Sequence, residues 1–226
     1  MEFHRASTGK LPIWLRVAAG FWFLIWFPAY WRGWGGQNFL HFCDIAVIVG
    51  CIGFWLDSPL IISSQAVACV LVDLMWVLDA GWTLAFHRHL VGGTEYLFNS
   101  QYAWWLRLLS CFHMVMPVLM VWAVHRVGYD RRGYWLQFVI ALAAFVTSRL
   151  WTPPAQNFNY AFADPFFHRQ CGSAPVHVLV AFLFMAIVVY LPTHIALSRI
   201  FSPPSPRQVI WSGVFWTGSD SGARQS

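Results

Sequence analysis

Residues 59–78 read PLIISSQAVACVLVDLMWVL, from Pro59 to Leu78, and Asp73 is the one charged side chain in the run. About twenty mostly apolar residues is the length an α-helix needs to cross the roughly 30 Å hydrocarbon core of a bilayer. Five further stretches of the same kind lie on either side, at about 11–30, 38–56, 102–124, 134–151 and 175–197, and the first-quoted run can be carried on to Phe86. Lipid offers a backbone no hydrogen-bond partner, so each stretch is predicted to be helical. The fold class that follows is all-α, a polytopic membrane bundle of about six transmembrane helices. Residues 1–201 form a single membrane domain, and 202–226, which open on Ser-Pro-Pro-Ser-Pro, are a tail expected to be partly disordered.

Composition agrees with that solvent. The chain of 226 residues is 58% apolar and 10% charged, with 15 tryptophans and a mean hydropathy of +0.55. A soluble domain carries about 25% charged residues. The net charge of +5 does not point to nucleic acid, because Lys10 is the only lysine and the arginines are scattered. They do point to an orientation, since basic residues collect on the cytoplasmic side. With six spans, one side holds Arg5, Lys10, Arg16, Arg126, Arg131, Arg132, Arg199, Arg207 and Arg224, and the other holds Arg32, Arg88, Arg107, Arg149 and Arg169. Both termini are therefore expected in the cytoplasm. The first span carries Arg16 and bulky aromatics and lacks a small-x-small site, so it reads as a retained helix rather than a signal peptide.

Turn chemistry falls between the spans. Gly33, Gly35 and Gly36 separate spans one and two, Asp57-Ser58-Pro59 is a tight turn with proline opening the next helix, and Gly92-Gly93 lies before span four. The connection from Thr152 to Ala174 is the longest, and loops of that length are commonly functional or disordered.

Ionisable groups inside a bilayer are costly and mark candidate sites. His41-Phe42-Cys43-Asp44 places three such side chains at the start of span two. On a helix His41 and Asp44 would share a face and Cys43 would point away from them, toward a partner on another helix. His113, in the apolar run Ser110-Cys111-Phe112-His113-Met114 of span four, is the candidate. A thiol with an imidazole base performs nucleophilic acyl transfer through a thioester. The plainer alternative is that the two side chains only pack. Cys51, Cys69 and Cys111 read as small buried hydrophobes, and neither a CxxC pair nor a secreted disulfide pattern occurs.

The His-x-Cys-Asp opening of span two, Phe112-His113 in span four, the Tyr129-Asp130-Arg131 turn after it and Asn157-Phe158-Asn159-Tyr160 after span five together resemble the YwaF-like bacterial integral membrane family. That family is similar to the transmembrane ether-phospholipid acyltransferases and, more distantly, to the androgen-induced multi-pass lipid hydrolases. The resemblance covers residues 38–160, and spans one and six carry no matching motif. It implies a multi-pass protein of the bacterial inner membrane that acts on membrane lipids as an acyltransferase or hydrolase. Cys43 would be the nucleophile and His113 the base, with His41 and Asn159 as pocket residues; beside them Asp44 and Asn157 are read as orienting or binding groups. No cofactor and no metal is required by this chemistry.

Asp79 lies toward the same end of span three as the quartet and is expected to join it, where a carboxylate can orient an imidazole. Asp73 lies deeper and is expected to pair with Arg107 or to serve structure alone. Two other classes of function use the same residues. A haem or metal site could be built from His41, Asp44, Asp79, His87 or His89, although no HExxH motif is present. A tryptophan-rich, non-catalytic accessory subunit of a larger membrane-protein complex is the third.

Overall fold

The turn signals divide the chain where the sequence places them. The computed structural model describes residues 10–204, and all regular structure among them is helical. We label the long helices α1 (Ile13–Trp34), α2 (Phe42–Leu56), α3 (Pro59–Phe86), α4 (Trp104–Val127), α5 (Gly133–Trp151) and α6 (Ala174–Ile200). All but α2 are long and apolar enough to cross a membrane, and α2, at 15 residues, spans about 22 Å. The protein is thus an all-α polytopic bundle. The expected tail from 205 onward, and Arg5, Arg207 and Arg224, lie outside the described residues.

One correction concerns span two. The expected helix from residue 38 begins only at Phe42, because Gly36–Leu40 form a short 3-10 turn and His41 is extended at ψ 139°. α4 is likewise interrupted, by a turn at Ser110 and Cys111, and α6 contains a π-helical turn, Met185–Tyr190.

α3 is the central helix, packed on α4, α2 and α5 and reaching α6. Half of its most apolar window is buried, against 17% of that of α1. The exposed faces are apolar: Ile13, Val17, Phe21 and Leu24 on α1, Val115 and Val118 on α4, Val139, Val146 and Leu150 on α5. Such faces suit lipid tails rather than water.

Two ends can be told apart by what ties them. At the terminal end Asp57, in the left-handed region at φ 55°, accepts from the Leu11 amide at 2.9 Å and from Arg16 Nη2 at 2.8 Å. Ser58 caps α3 by accepting from the Ile61 amide and Pro59 occupies its first turn, as the Asp-Ser-Pro sequence implies. Tyr129 donates its amide to the Ser202 carbonyl and shares a hydrogen bond with His194 Nδ1 at 2.7 Å, while the Asp130 amide donates to Ser63 Oγ. A Cβ on Gly133 would stand 2.8 Å from both Ser63 Cβ and the Ser64 amide nitrogen, so only glycine lets α5 approach α3 this closely. The opposite end, where the connections 87–103 and 152–173 lie, we call the long-loop end.

Candidate functional site

The two long connections are held by three side chains that the sequence had marked as site residues. Asp79, in the penultimate turn of α3, accepts through Oδ1 from the amides of Leu90, Val91 and Gly92 at 2.7, 2.7 and 3.0 Å. Its Oδ2 accepts from the Thr94 hydroxyl and faces His89 Nδ1 at 3.1 Å. All of its capacity is spent on folding residues 89–94 against α3. Asp79 therefore does not join His41 and Asp44.

Asn157 and Asn159 are both left-handed, at φ 43° and 52°, a conformation asparagine tolerates. Asn157 Oδ1 accepts from the Phe162 and Ala163 amides, and its Nδ2 donates to the Ala163 carbonyl. Asn159 reaches across the bundle: Oδ1 accepts from the Phe42 amide at 3.2 Å, and Nδ2 donates to the Leu40 carbonyl and Ser148 Oγ at 2.7 and 3.0 Å. It caps α2 from a loop more than a hundred positions away, which explains why the helix starts where it does. His177 completes the loop, accepting from the Cys171 amide and bonding the Tyr160 carbonyl.

Inward of these loops α1 to α4 converge on a buried polar cluster. Asp44, in the first turn of α2, accepts from Asn38 Nδ2 at 2.5 Å. Tyr30 of α1 shares a 2.6 Å hydrogen bond with Ser110 at the break in α4. Trp76 Nε1 donates to Tyr96 of the loop at 3.1 Å, and the Trp76 ring stacks on His113 with centroids 4.6 Å apart and planes 10° off parallel. Burial, above all, pushes the Tyr96 phenol well above its ordinary range, so it is a neutral hydroxyl in this site.

The proposed pair is split between two parts of this cluster. Cys43 Sγ lies 4.0 Å from Asp44 Oδ1, and among the described residues that carboxylate is its side-chain partner. His113 is bound through Nδ1 to the Ser110 carbonyl at 2.7 Å. A carbonyl can only accept, so Nδ1 carries a proton, and in the neutral ring that a buried, apolar site favours Nε2 presents its lone pair, with no hydrogen-bond partner among the described residues. His41 is extended rather than helical, and its ring lies on Phe158 with centroids 4.5 Å apart instead of sharing a helix face with Asp44. It still stands within electrostatic reach of His113.

Asp73 is not paired with Arg107, whose Nη1 donates to the Leu97 carbonyl. It is fully buried in α3, and neither carboxylate oxygen has a hydrogen-bond partner. The Cys69 thiol lies beside it one turn earlier, and Asp44 and Cys43 are within electrostatic reach. Cys69, Asp73 and Trp76 follow the i, i+4, i+7 spacing of one helix face, which a sequence reading could have found. Tyr30, Asn38, Tyr96 and Ser110 carry no such signal, since tyrosine, asparagine and serine near span ends are common.

Among the described residues no three His, Cys, Asp or Glu side chains are grouped so as to hold a metal ion. The histidines and acids named for such a site are divided between the Asp79 loop and the cluster. The fold and this cluster define a multi-pass helical membrane protein with a polar centre near its long-loop end. Comparison with protein-family models, curated proteins and solved structures finds no match to the chain.

Proposed function

We propose that the polar cluster is the working site of a membrane-embedded enzyme that transfers or hydrolyses a lipid acyl group. The observation that carries this reading is the tautomer of His113: a neutral, buried imidazole with a free Nε2, on the α4 face that meets the α2–α3 contact holding a thiol. His113 Nε2 takes the Cys43 proton, and the thiolate sulfur attacks an ester carbonyl. The C–S bond forms as the ester C–O bond breaks, and the departing alkoxide receives the proton from His113. Water or a second lipid hydroxyl then resolves the thioester with the same proton traffic reversed. In the resting arrangement the thiol faces Asp44, so this mechanism requires Cys43 to turn from that carboxylate and come within reach of His113 Nε2, directly or through one water. The resemblance of residues 41–44, 112–113, 129–131 and 157–160 to the YwaF-like family supports the same chemistry. It also supports a bacterial inner membrane, and the excess of basic residues on the terminal side supports both termini in the cytoplasm.

Labelling tests the reading. A long-chain alkyl iodoacetamide applied to the purified protein should modify Cys43, mapped by peptide mass spectrometry so that exposed Cys171 is counted separately. His113→Ala should slow the Cys43 reaction at least about a hundredfold, the lower reach of a lost general base. Equal labelling in both proteins removes His113 from the mechanism.

A further inference from the structure

An unpaired carboxylate in a membrane helix is costly, and such residues as a rule pair with another group or mark a substrate path. Among the described residues Asp73 has no ion pair and no N–H or O–H donor on either oxygen, and the weak thiol of Cys69 is the donor beside it. The donors of the cluster reach other groups, and the two left without a partner, Arg107 Nε and Trp26 Nε1, do not reach Asp73. Asn38 Nδ2 serves Asp44, Trp76 Nε1 serves Tyr96, His113 Nδ1 serves the Ser110 carbonyl, and Arg107 is turned to Leu97. On the charged and titratable groups of the cluster the open positions are acceptors: both oxygens of Asp73 and Nε2 of His113. Asp44 adds Oδ1, which has only the weak thiol contact at 4.0 Å. A cluster of this kind lacks a cation that brings its own hydrogens.

We propose that the site binds a primary ammonium group, held between the carboxylates of Asp73 and Asp44 against the rings of Trp76 and Tyr96. Each part fits that ligand. Two carboxylates neutralise the charge and accept its N–H bonds, and the aromatic faces attract a desolvated cation. A hard metal ion would ask for six or more oxygens, whereas this cluster offers carboxylates, thiols and rings. The inference rests on the acyl-transfer reading only for what the amine carries: there it is the head of an amphiphile, positioned so that its ester reaches Cys43. The bound ammonium leaves His113 Nε2 free for the thiol.

The full chain in nanodiscs of phosphatidylcholine, which presents no N–H donor, allows a direct test by tryptophan fluorescence with three probes: dodecylamine, dodecyltrimethylammonium and ethylamine. Dodecylamine is expected to bind saturably, and dodecyltrimethylammonium at least tenfold more weakly because it cannot donate. Asp73→Asn should weaken dodecylamine binding tenfold or more, while Asp73→Glu keeps most of it and serves as the folded control. Ethylamine binding as tightly as dodecylamine assigns the site to a free solute amine, and binding by dodecylamine alone assigns it to a membrane amphiphile. Equal affinity for the amine and its trimethyl analogue, or equal affinity in wild type and Asp73→Asn, overturns the proposal. The labelling experiment reads covalent modification of Cys43 and this one reads reversible amine binding to the unmodified chain, so failure of the one and failure of the other are separate results.

Discussion

Asp73 and Asp79 stand on the same helix and are equally buried, each 1% exposed, yet they are opposite in what surrounds them. Asp79 collects three backbone amides, a hydroxyl and an imidazole nitrogen and thereby folds a loop. Asp73 collects no N–H or O–H donor, only the weak thiol of Cys69 beside it. A carboxylate within an apolar helix is a marker of something, and counting its partners tells structure from function. The terminal end teaches the same lesson, since Asp57 and Asp130 are both consumed by amides or guanidinium groups.

The contrast can be broken from either side. The largest effect is expected for Asp79→Ala, which orphans the amides of Leu90, Val91 and Gly92. Charged hydrogen bonds contribute about 1.5–3 kcal/mol each, so a loss of at least about 3 kcal/mol is expected in the unfolding free energy measured in mixed micelles. An unchanged midpoint would mean that the loop holds itself. Asp73→Asn is expected to be neutral or of the opposite sign, because it removes the cost of burying an ionisable carboxylate and breaks no ion pair. Its thermal midpoint, read without added amine, should equal or exceed that of the wild type. A clear fall would show that Asp73 is structural after all.

The smallest effect sharpens the comparison at the surface. Asp164 is held below its ordinary range by the amide of Phe167 first, then by those of Phe166 and Arg169. A depressed folded value means that its contribution is present above the unfolded carboxylate range and is lost as pH falls through the folded value. Hydrogen exchange at Phe166 and Phe167, corrected for intrinsic rate, should accelerate only on that acid side and stay level from there to neutrality. Acceleration toward alkaline pH would contradict the assignment.

Much of this was legible in the residues. Hydropathy located each helix, Asp57-Ser58-Pro59 named its own turn, and the cost of polar groups in lipid singled out Cys43, Asp44 and His113. The start of α2 was not legible, because the cap on Phe42 comes from Asn159 in a distant loop. Asp79 was assigned to the wrong neighbourhood for a related reason: its partners are backbone amides, which every residue possesses and no side-chain pattern announces. Charge alone offers Asp73 either Arg107 as a partner or a plain structural role, and the first is closed because that guanidinium is bound to the Leu97 carbonyl.

The amino-acid sequence by itself determined the helices and the membrane as their solvent, because hydrocarbon thickness and backbone satisfaction are local demands that about twenty neighbouring residues meet on their own. Only the tertiary structure decided which polar groups are spent and which are open. Hydrogen bonds exhaust a group through partners brought from other helices and loops, and the His-Phe-Cys-Asp quartet at the mouth of α2 acquired its meaning from Trp76, Tyr96 and Asp73, none of which lies near it in the chain.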